Sequence, residues 1–397
     1  MLKGKTVILG VTGSIAAYKI ANLASMLIKQ HAEVHVIMTQ NATNFINPIT
    51  FETLTNHKCL VDTFDRDFEF HVAHVNLAEQ ADVMLIAPAS ANVIGKLAGG
   101  IADDMLTTTA MACRAPILVS PAMNTNMFEN PILIDNLKKL QSYGFEIIEP
   151  DTGMLACRDV GKGKMPEPDV LLGHIMHTIA KDKDLKGKKV LVTAGPTQEA
   201  IDPVRVITNH STGKMGYAIA EDAMLRGADV TLITGPCAIE PPLFVDICPV
   251  VSAQEMYEAV DSYREVSDII IMSAAVADYR PKTTSPDKIK KTDDEQMITL
   301  VRTTDILQSL GDKKRVGQFL CGFSMETENL LENSRKKLEK KNLDLIVANS
   351  LRTEGAGFGT DTNVITLISP EEERELPLMS KREAAACILD VIVEKMK

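Results

Sequence analysis

The chain has 397 residues, of which 45% are hydrophobic and 24% charged, and its formal net charge at pH 7 is −11. This length is sufficient for two or three domains, each with its own core. The acidic balance disfavours a general binder of nucleic acid or acidic membranes, and no apolar run reaches the length of a membrane span. Seven scattered cysteines without a C-x-x-C pair, and first residues that enter a strand without a signal-peptide pattern, predict a cytoplasmic protein with reduced thiols.

The first half alternates short apolar runs with helical patterns. Strands are predicted at residues 6–10, 33–38, 83–87 and 116–120, and helices at 15–29 and 91–98. Such alternation is typical of a mainly parallel, doubly wound sheet, whose ligands bind in the loops after the strands. Gly13 and Ser14 open the first helix, where backbone N–H groups and the helix dipole suit a phosphate.

The same alternation restarts after residue 188. Strands are predicted at residues 190–193, 230–234, 269–273, 319–323 and 344–348, and helices at 216–226 and 327–340. Residues 181–187 are charged and polar, which predicts a short exposed linker. The sequence therefore predicts two doubly wound, Rossmann-like α/β domains, residues 1–180 and 188–397, with mainly parallel sheets.

Four motifs of the first half occur in a fixed order: HVAHVNLAEQAD with His74, PASAN at 88–92, PAMNTNMF at 121–128 and LACRDVGKGKM at 155–165. In this combination they resemble the flavin-dependent cysteine decarboxylases, and within them the phosphopantothenoylcysteine decarboxylases. The resemblance implies a flavodoxin-like domain that binds FMN through Gly13, Ser14, Ile15, Thr39, Ser90 and Asn92. It also implies three catalytic residues: His74, Asn124, which grips the substrate carboxylate, and Cys157 of a mobile substrate flap.

These residue types fit the reaction of that family. There the flavin oxidises the cysteinyl thiol to a thioaldehyde, whose sulfur accepts charge as carbon dioxide leaves, and a later reduction regenerates the thiol. A histidine that titrates near neutrality suits proton handling at the thiol, and Cys157 would supply a proton for the reduction. Taken singly, His74 could belong to a helix face, Asn124 could cap a turn and Cys157 could be an inert apolar residue. The order of the motifs favours the catalytic interpretation.

Three positions depart from the pattern of the decarboxylase family. Arg158 stands where the flap usually has glycine, and Phe128 replaces a common tryptophan. Lys164 stands where the flap usually has arginine. Lysine keeps the charge but loses the bidentate geometry of arginine, so the resemblance predicts the geometry of the flap less closely than its presence.

Three motifs of the second half, TAGPTQEAIDPVRVITNHSTGKMG, SAAVADYRP and KIKK, resemble phosphopantothenate–cysteine ligase in its bacterial, CTP-using form. The resemblance implies that CTP, with Mg²⁺, activates the phosphopantothenate carboxylate as an acyl-cytidylate, which the amine of cysteine then attacks. It implies two catalytic residues, Asn209 and Lys288. It also implies nucleotide contacts at Ser273, Ala274, Ala275, Asp278, Lys288, Thr304, Asp305, Ile306, Phe323, Lys337 and Lys341. Without the resemblance, the basic residues around Lys337 would be interpreted as the solvent-exposed face of a helix.

Together the halves predict a bifunctional enzyme of coenzyme A biosynthesis, because the product of the ligase is the substrate of the decarboxylase. One alternative is a flavin-fold regulatory protein that binds a phosphatase without turnover, which the retained His74, Asn124 and Cys157 disfavour. Another is an NAD-dependent oxidoreductase, which the missing G-x-G-x-x-G fingerprint disfavours. The resemblance further implies small-molecule substrates, no nucleic-acid or membrane partner, and a homo-oligomer with trimeric decarboxylase cores and dimeric ligase domains.

Overall fold

The structure, a computed structural model, describes residues 1–64, 73–154, 159–291, 295–326, 329–350, 357 and 359–397. Cys157 and Arg158 therefore lie outside the described residues. The chain forms two compact units, Met1–Lys181 and Asp182–Lys397. None of the helices within the described ranges is long and apolar enough to cross a membrane.

The first unit is built on a five-stranded parallel sheet. Its strands are β1 (Thr6–Val11), β2 (Glu33–Met38), β3 (Val83–Ala89), β4 (Ile117–Pro121) and β5 (Glu146–Ile147). They lie in the order β2-β1-β3-β4-β5, and every neighbouring pair is parallel. The chain order reverses between β1 and β3, and sheets of this flavodoxin-type order bind ligands beyond the strand ends at that point.

Helices and one hairpin complete the first unit. The described helices are α1 (Tyr18–Lys29), α2 (Pro48–Thr55), α3 (Ala73–Gln80), α4 (Ala91–Gly99), α5 (Met105–Ala112), α6 (Thr125–Phe128), α7 (Pro131–Ser142) and α8 (Pro168–Ile179), with 3₁₀ turns at Ile15–Ala17 and Ala42–Asn44. All seven residues of β3 are buried, as expected for a central strand of a parallel sheet. An antiparallel hairpin, β6 (Asp151–Met154) and β7 (Val160–Lys164), follows the sheet.

The second unit has fourteen described strands and five described helices. The strands are β8 (Lys189–Ala194), β9 (Gln198–Ala200), β10 (Val206–Thr208), β11 (Asp229–Thr234), β12 (Asp246–Pro249), β13 (Ile269–Met272), β14 (Tyr279–Pro281), β15 (Leu300–Arg302), β16 (Phe319–Glu326), β17 (Leu345–Ser350), β18 (Thr362–Asn363), β19 (Ile365–Ile368), β20 (Glu373–Glu375) and β21 (Met379–Ser380). The helices are α9 (Lys214–Leu225), α10 (Ala253–Arg264), α11 (Ile306–Asp312), α12 (Leu330–Lys340) and α13 (Lys381–Lys395).

Eight of these strands form one sheet in the order β12-β11-β8-β13-β16-β17-β19-β20. The pairs from β12 to β17 are parallel, and β19 and β20 extend the sheet in antiparallel pairing. Counted from β8, the parallel part has the Rossmann order, which reverses between β8 and β13. The prediction of doubly wound α/β units with mainly parallel sheets is confirmed.

The predicted linker, residues 181–187, is exposed only in part. Leu185 is 2% exposed and its N–H donates to the carbonyl oxygen of Arg226 at 3.1 Å. The guanidinium of Arg226 also donates to both carboxylate oxygens of Asp184, at 2.9 and 2.8 Å. The expectation of exposure is therefore wrong for Leu185, whose apolar side chain is buried within the second unit, whereas Asp184 is exposed and pairs with Arg226.

Candidate active sites

A cavity of about 610 Å³ lies at the carboxyl end of the first sheet. Four chain segments line it: residues 13–19 after β1, residues 90–91 after β3, residues 122–127 after β4, and the β6–β7 hairpin with the residues that follow it. The cavity thus occupies the place where the strand order reverses, which is where a doubly wound sheet binds its ligand.

Thr12 joins the two strand ends beneath this cavity. Its hydroxyl donates to the carbonyl oxygen of Pro88 at 2.6 Å and accepts from the backbone N–H of Ser90 at 2.9 Å. The hydroxyl of Ser90 in turn accepts from the N–H of Val93, 3.5 Å away, and so caps α4. The loops after β1 and β3 are therefore fixed relative to each other.

The β6–β7 hairpin forms one wall of the cavity. The N–H of Met123 donates to the carbonyl oxygen of Gly163 at 3.1 Å, and Asn124 Nδ2 donates to a carboxylate oxygen of Asp159 at 3.0 Å. Gly163 has φ 138, and a Cβ there would lie 2.4 Å from the Met123 oxygen, so only glycine fits this contact. Asn124 also accepts from the N–H of Asn126 at 2.9 Å, which holds its amide between the hairpin and α6.

Two lysines bring positive charge to the cavity. Lys19 Nζ lies 2.8 Å and Lys164 Nζ 3.1 Å from the same oxygen of Glu167, and these two hydrogen bonds lower the pKa of that carboxyl. Nearby, Lys162 Nζ lies 5.5 Å from the ring centre of Phe128, within cation–π range. Lys164 and Phe128, two departures from the family pattern, are thus held by charge and ring contacts.

The cavity has features that fit a flavin. Ile15, Tyr18 and Met154 line it with 58%, 61% and 71% of their surfaces exposed, and a flat ring system would cover such apolar side chains. At the end of β2, the hydroxyl of Thr39 is buried and has no hydrogen-bond partner within the described residues. Because an unpaired buried hydroxyl is unfavourable, a polar group of a bound ligand would stabilise it.

The structure brings some of the predicted residues of the first unit together. Those that line the cavity are Gly13, Ser14, Ile15, Ser90 and Asn124. Thr39, the exposed Asn92 and the half-buried His74 at the start of α3 are not among its lining residues. Cys157 lies outside the described residues, between β6 and β7. The roles assigned to these residues stay predictions.

In the second unit, a cavity of about 440 Å³ lies beside the ends of β13 and β16. Eight of the predicted nucleotide contacts line it: Ala274, Asp278, Thr304, Asp305, Ile306, Phe323, Lys337 and Lys341. They come from four separate stretches of the chain, and the fold assembles them around one space beside β13 and β16, next to the reversal of strand order between β8 and β13.

Two lysines of this cavity are held by oxygen atoms. Lys341 Nζ lies 2.8 Å from the carboxylate of Asp305, which also accepts from the N–H of Gln308 at 3.0 Å and caps α11. Burial alone would raise the pKa of Asp305, but the hydrogen bonds from Lys341 and Gln308 have the larger combined effect and lower this pKa. Lys337 Nζ, one helical turn before Lys341, donates to the carbonyl oxygen of Phe323 at 3.0 Å. The cavity therefore carries ordered positive charge.

A smaller cavity of about 150 Å³ shares Ala274 and Phe323 with the first, so the two are neighbours. Residues 211–216 line it at the amino end of α9, where Gly213 (φ 80) turns the chain into the helix. Asn349 of β17 also lines it, and its buried Oδ1 accepts no hydrogen bond from the described residues. A helix amino end attracts anions through its N–H groups and its dipole.

Two further lysines line this smaller cavity, and neither is predicted from the sequence. Lys214 Nζ donates to Asp361 at 2.6 Å, and Lys381 Nζ donates to the carbonyl oxygens of Gly357 and Thr360 at 3.0 and 2.6 Å. Lys381 is only 7% exposed, and burial, together with Lys214, lowers its pKa against the opposing effect of Asp361. The amino end of α9 and these two lysines together favour the binding of a polyanion.

The remaining predicted residues of the second unit lie around these cavities. Ser273 and Ala275 line the smaller one. Asn209 is exposed at its edge, and its Nδ2 donates to the carbonyl oxygen of Ala275 at 3.0 Å. The exposed Lys288 is not among the lining residues of either cavity.

An ion pair between the buried Asp202 and the half-exposed Arg205 anchors the loop that carries Lys288. Asp202, which is 1% exposed, accepts the N–H of Ile289 at 3.1 Å, and Arg205 Nη2 donates to the Ile289 carbonyl oxygen at 2.8 Å. Arg205 also donates from Nε and Nη2 to Asp202, at 2.9 and 2.5 Å, which is the main reason that the pKa of Asp202 lies well below its usual range. The position of Lys288 therefore depends on this pair.

Comparison with known proteins gives the same division of the chain into two families. Residues 1–180 match the family described as Flavoprotein, and residues 185–396 match the DNA/pantothenate metabolism flavoprotein C-terminal domain. The chain is 48% identical to the coenzyme A biosynthesis bifunctional protein CoaBC of Bacillus subtilis, over 100% of this chain and 98% of that protein. The CoaBC protein of Vibrio vulnificus is 46% identical over 98% of both chains.

Among solved structures, the C-terminal domain of a CoaBC protein is 46% identical, with 54% of this chain and 98% of that chain covered and a TM-score of 0.47. The family inferred from the motifs is confirmed by the full-length sequence matches. The chain belongs to the family of bifunctional coenzyme A biosynthesis proteins, with a flavoprotein domain followed by the pantothenate-metabolism C-terminal domain.

Proposed function

We propose that this chain catalyses two successive reactions. Its second unit ligates cysteine to 4′-phosphopantothenate with CTP and Mg²⁺, and its first unit decarboxylates the resulting 4′-phospho-N-pantothenoylcysteine to 4′-phosphopantetheine with FMN. The observation that carries the proposal is that eight residues assigned from the motifs line one cavity of the second unit. The full-length similarity to bifunctional relatives supports it and gives no support to the regulatory alternative.

In the ligase, the two neighbouring cavities divide the nucleotide between them. The exposed carboxylate of Asp278 accepts hydrogen bonds from the ribose hydroxyls, and Lys337 and Lys341 bring positive charge to the larger cavity. The polyphosphate extends into the smaller cavity, where Lys214, Lys381 and the amino end of α9 neutralise its charge. This arrangement favours attack of the phosphopantothenate carboxylate on the α-phosphate, in which the bond to the bridging oxygen breaks and pyrophosphate leaves, because charge accumulates on the phosphate oxygens.

The second half-reaction takes place at the edge of the smaller cavity. Asn209 lies there beside Ala275, and its amide orients the acyl group of the cytidylate for attack by the amine of cysteine. The bond from the acyl carbon to CMP breaks as the amide bond forms. Lys288 is proposed to stabilise the phosphate charge, and its loop is positioned by Asp202.

In the decarboxylase, Asn124 is proposed to bind the substrate carboxylate. Its Nδ2 already holds the carboxylate of Asp159, so substrate would replace one carboxylate partner by another. His74 is proposed to take up the thiol proton and Cys157 to supply a proton for the final reduction. FMN, when bound near residues 13–15 and 90, accepts and returns the electrons.

We further propose a homo-oligomer, with trimeric decarboxylase cores and dimeric ligase units. Support comes from His74 and Lys288, which do not line the cavities of their own chain. A second copy would bring such residues to the substrate. Light scattering should give the mass of a multimer, and a mixture of Lys288→Gln and Lys381→Met chains should have more ligase activity than either variant alone. A monomeric mass would contradict this part.

Two variants test the two activities separately. Lys288→Gln should abolish CMP release and leave decarboxylation of added 4′-phospho-N-pantothenoylcysteine intact. Cys157→Ser should stall the reduction step while CMP is still released. Loss of CMP release in the Cys157→Ser protein would contradict two separate sites, and purified protein without flavin absorbance would contradict the decarboxylase.

A further inference from the structure

A cluster of two histidines and one glutamate lies at the amino end of β2, and the reactions proposed above do not use it. We propose that Glu33, His35 and His57 form a binding site for a divalent transition metal ion, with Zn²⁺ as the expected occupant. The inference rests on the placement of three side chains, on the spacing of their ligand atoms and on their chemistry.

Local structure brings the three side chains together. Glu33 and His35 are alternate residues of β2, so both project from the same face of the strand. His57 follows α2, and Asn56 between them takes the left-handed conformation (φ 59) that turns the chain after the helix. The imidazole of His57 then stacks on that of His35, with ring centres 4.4 Å apart and a tilt of 31°.

The ligand atoms have the spacing of a tetrahedral metal site. Zinc binds nitrogen and oxygen ligands at about 2.0–2.1 Å, so two ligand atoms of a tetrahedral site lie roughly 3.3 Å apart. His57 Nε2 is 3.2 Å and His35 Nε2 is 3.6 Å from Glu33 Oε1. Since the ligand atoms of all three residues lie within 4.8 Å of one another, one ion can reach them together.

The chemistry of the three groups suits zinc. Two imidazoles and a carboxylate are a ligand set that zinc uses in proteins, and a borderline-soft ion prefers imidazole nitrogen. Within the described part of the chain no further His, Cys, Asp or Glu joins the cluster. Water would complete the coordination at the exposed side of Glu33.

The cluster is separate from the flavin-type cavity. Glu33 opens β2, whereas the ligand side of the sheet begins after its last residue, at Thr39. Six residues at about 3.3 Å each place these two positions roughly 20 Å apart. A bound ion would tie the segment after α2 to β2, and its expected effect is therefore on the stability of the first unit, because an ion that binds the folded chain stabilises it.

The test uses the full-length protein after treatment with a chelator. Zn²⁺ is titrated against a competing indicator, and Co²⁺ serves as a spectroscopic probe. We expect one Zn²⁺ per chain, the visible bands of tetrahedral Co²⁺ without thiolate charge transfer, and a higher melting temperature with zinc. His35→Gln and His57→Gln should each lower zinc affinity about tenfold or more, since even changes outside the ligand shell have that effect.

A nearby histidine gives the matched control. His31 lies outside the cluster in the left-handed conformation (φ 64), which asparagine tolerates, so His31→Asn should bind zinc as the wild type does. Glu33→Gln, at an exposed position, gives a third ligand variant with little risk to folding. Wild-type protein without a saturable zinc site, a thiolate charge-transfer band with Co²⁺, or ligand variants of unchanged affinity would each overturn the proposal.

Discussion

Replacement of Lys381 by methionine tests the polyphosphate half of the proposed ligase site. Lys381 is 7% exposed, and its ammonium group lines the smaller cavity beside Lys214. Methionine has a similar length and is apolar, so it fills the space of the lysine stem and removes only the charge and the donors. The change therefore isolates the contribution of the ammonium group to CTP binding and turnover.

The size of the effect follows from one charged hydrogen bond. Such a bond contributes about 1.5–3 kcal/mol, and about 1.4 kcal/mol corresponds to a factor of ten. The kcat/KM for CTP is therefore expected to fall about 10- to 150-fold. The carbonyl oxygens of Gly357 and Thr360 also lose this donor, so the melting temperature of the second unit should fall as well.

The assay measures pyrophosphate release against CTP concentration, with phosphopantothenate and cysteine saturating. Lys336→Met is the matched control, because Lys336 on α12 is mostly exposed and pairs with Glu332, and it should keep the wild-type kcat/KM. Decarboxylation of added 4′-phospho-N-pantothenoylcysteine should be unchanged, and Lys381→Arg, which keeps the charge, should recover part of the ligase activity. A folded Lys381→Met protein with the wild-type kcat/KM for CTP would contradict a role of Lys381 in CTP binding.

Two further changes affect one activity each. Gly163→Ala places a Cβ 2.4 Å from the Met123 oxygen, so decarboxylation should fall while CMP release stays at the wild-type rate; unchanged decarboxylation would argue against the hairpin as a wall of the site. Asp202→Asn weakens the contacts that position the Lys288 loop, namely the ion pair with Arg205 and the hydrogen bond from the Ile289 N–H. CMP release should therefore fall without effect on decarboxylation, and full ligase activity would contradict this positioning role. Arg205 lowers the folded-state pKa of Asp202, so the stability from this carboxylate is present above its unfolded-state pKa of about 3.9 and is lost as the pH falls towards the folded-state pKa. Acid unfolding followed by circular dichroism should therefore show a smaller loss of stability over that range in Asp202→Asn than in the wild type.

The strands that carry both sites are predictable from the sequence. Buried parallel strands are continuous apolar runs, and residues 83–87 and 269–273 agree with β3 and β13 within two residues. Once the strands are known, the loops after them are known too, and Ala274 and Asp278 lie in the loop after β13. Phe323 and Lys337 lie in β16 and α12 instead, so the strand pattern explains only in part why the eight residues line one cavity.

The smaller cavity is not predictable in this way. Its lysines, Lys214 and Lys381, are 167 positions apart, and each lies in a polar stretch that is typical of a solvated surface. Lys381 is buried because Gly357 and Thr360 fold over the start of α13, which is a tertiary contact without a local signal. The β6–β7 hairpin is not predictable from the strand pattern either, because its strands are polar and rich in glycine.

For two of the predicted catalytic residues, His74 and Lys288, what the sequence can predict is limited for a different reason. His74 and Lys288 are not among the lining residues of the described cavities, and Cys157 lies outside the described residues. If a second copy completes each site, the periodicity of a single chain contains no information on that contact. Their roles rest on the motifs, and the variants above test them.

The stoichiometry of the complete reaction shows directly whether one chain catalyses both reactions. Purified protein with bound flavin is given 4′-phosphopantothenate, cysteine, CTP and Mg²⁺, and CMP, pyrophosphate, carbon dioxide and 4′-phosphopantetheine are measured over time. All four products are expected in equal amounts at completion, with CMP appearing before carbon dioxide. CMP release without carbon dioxide, or no CTP consumption at all, would contradict the proposed pair of reactions.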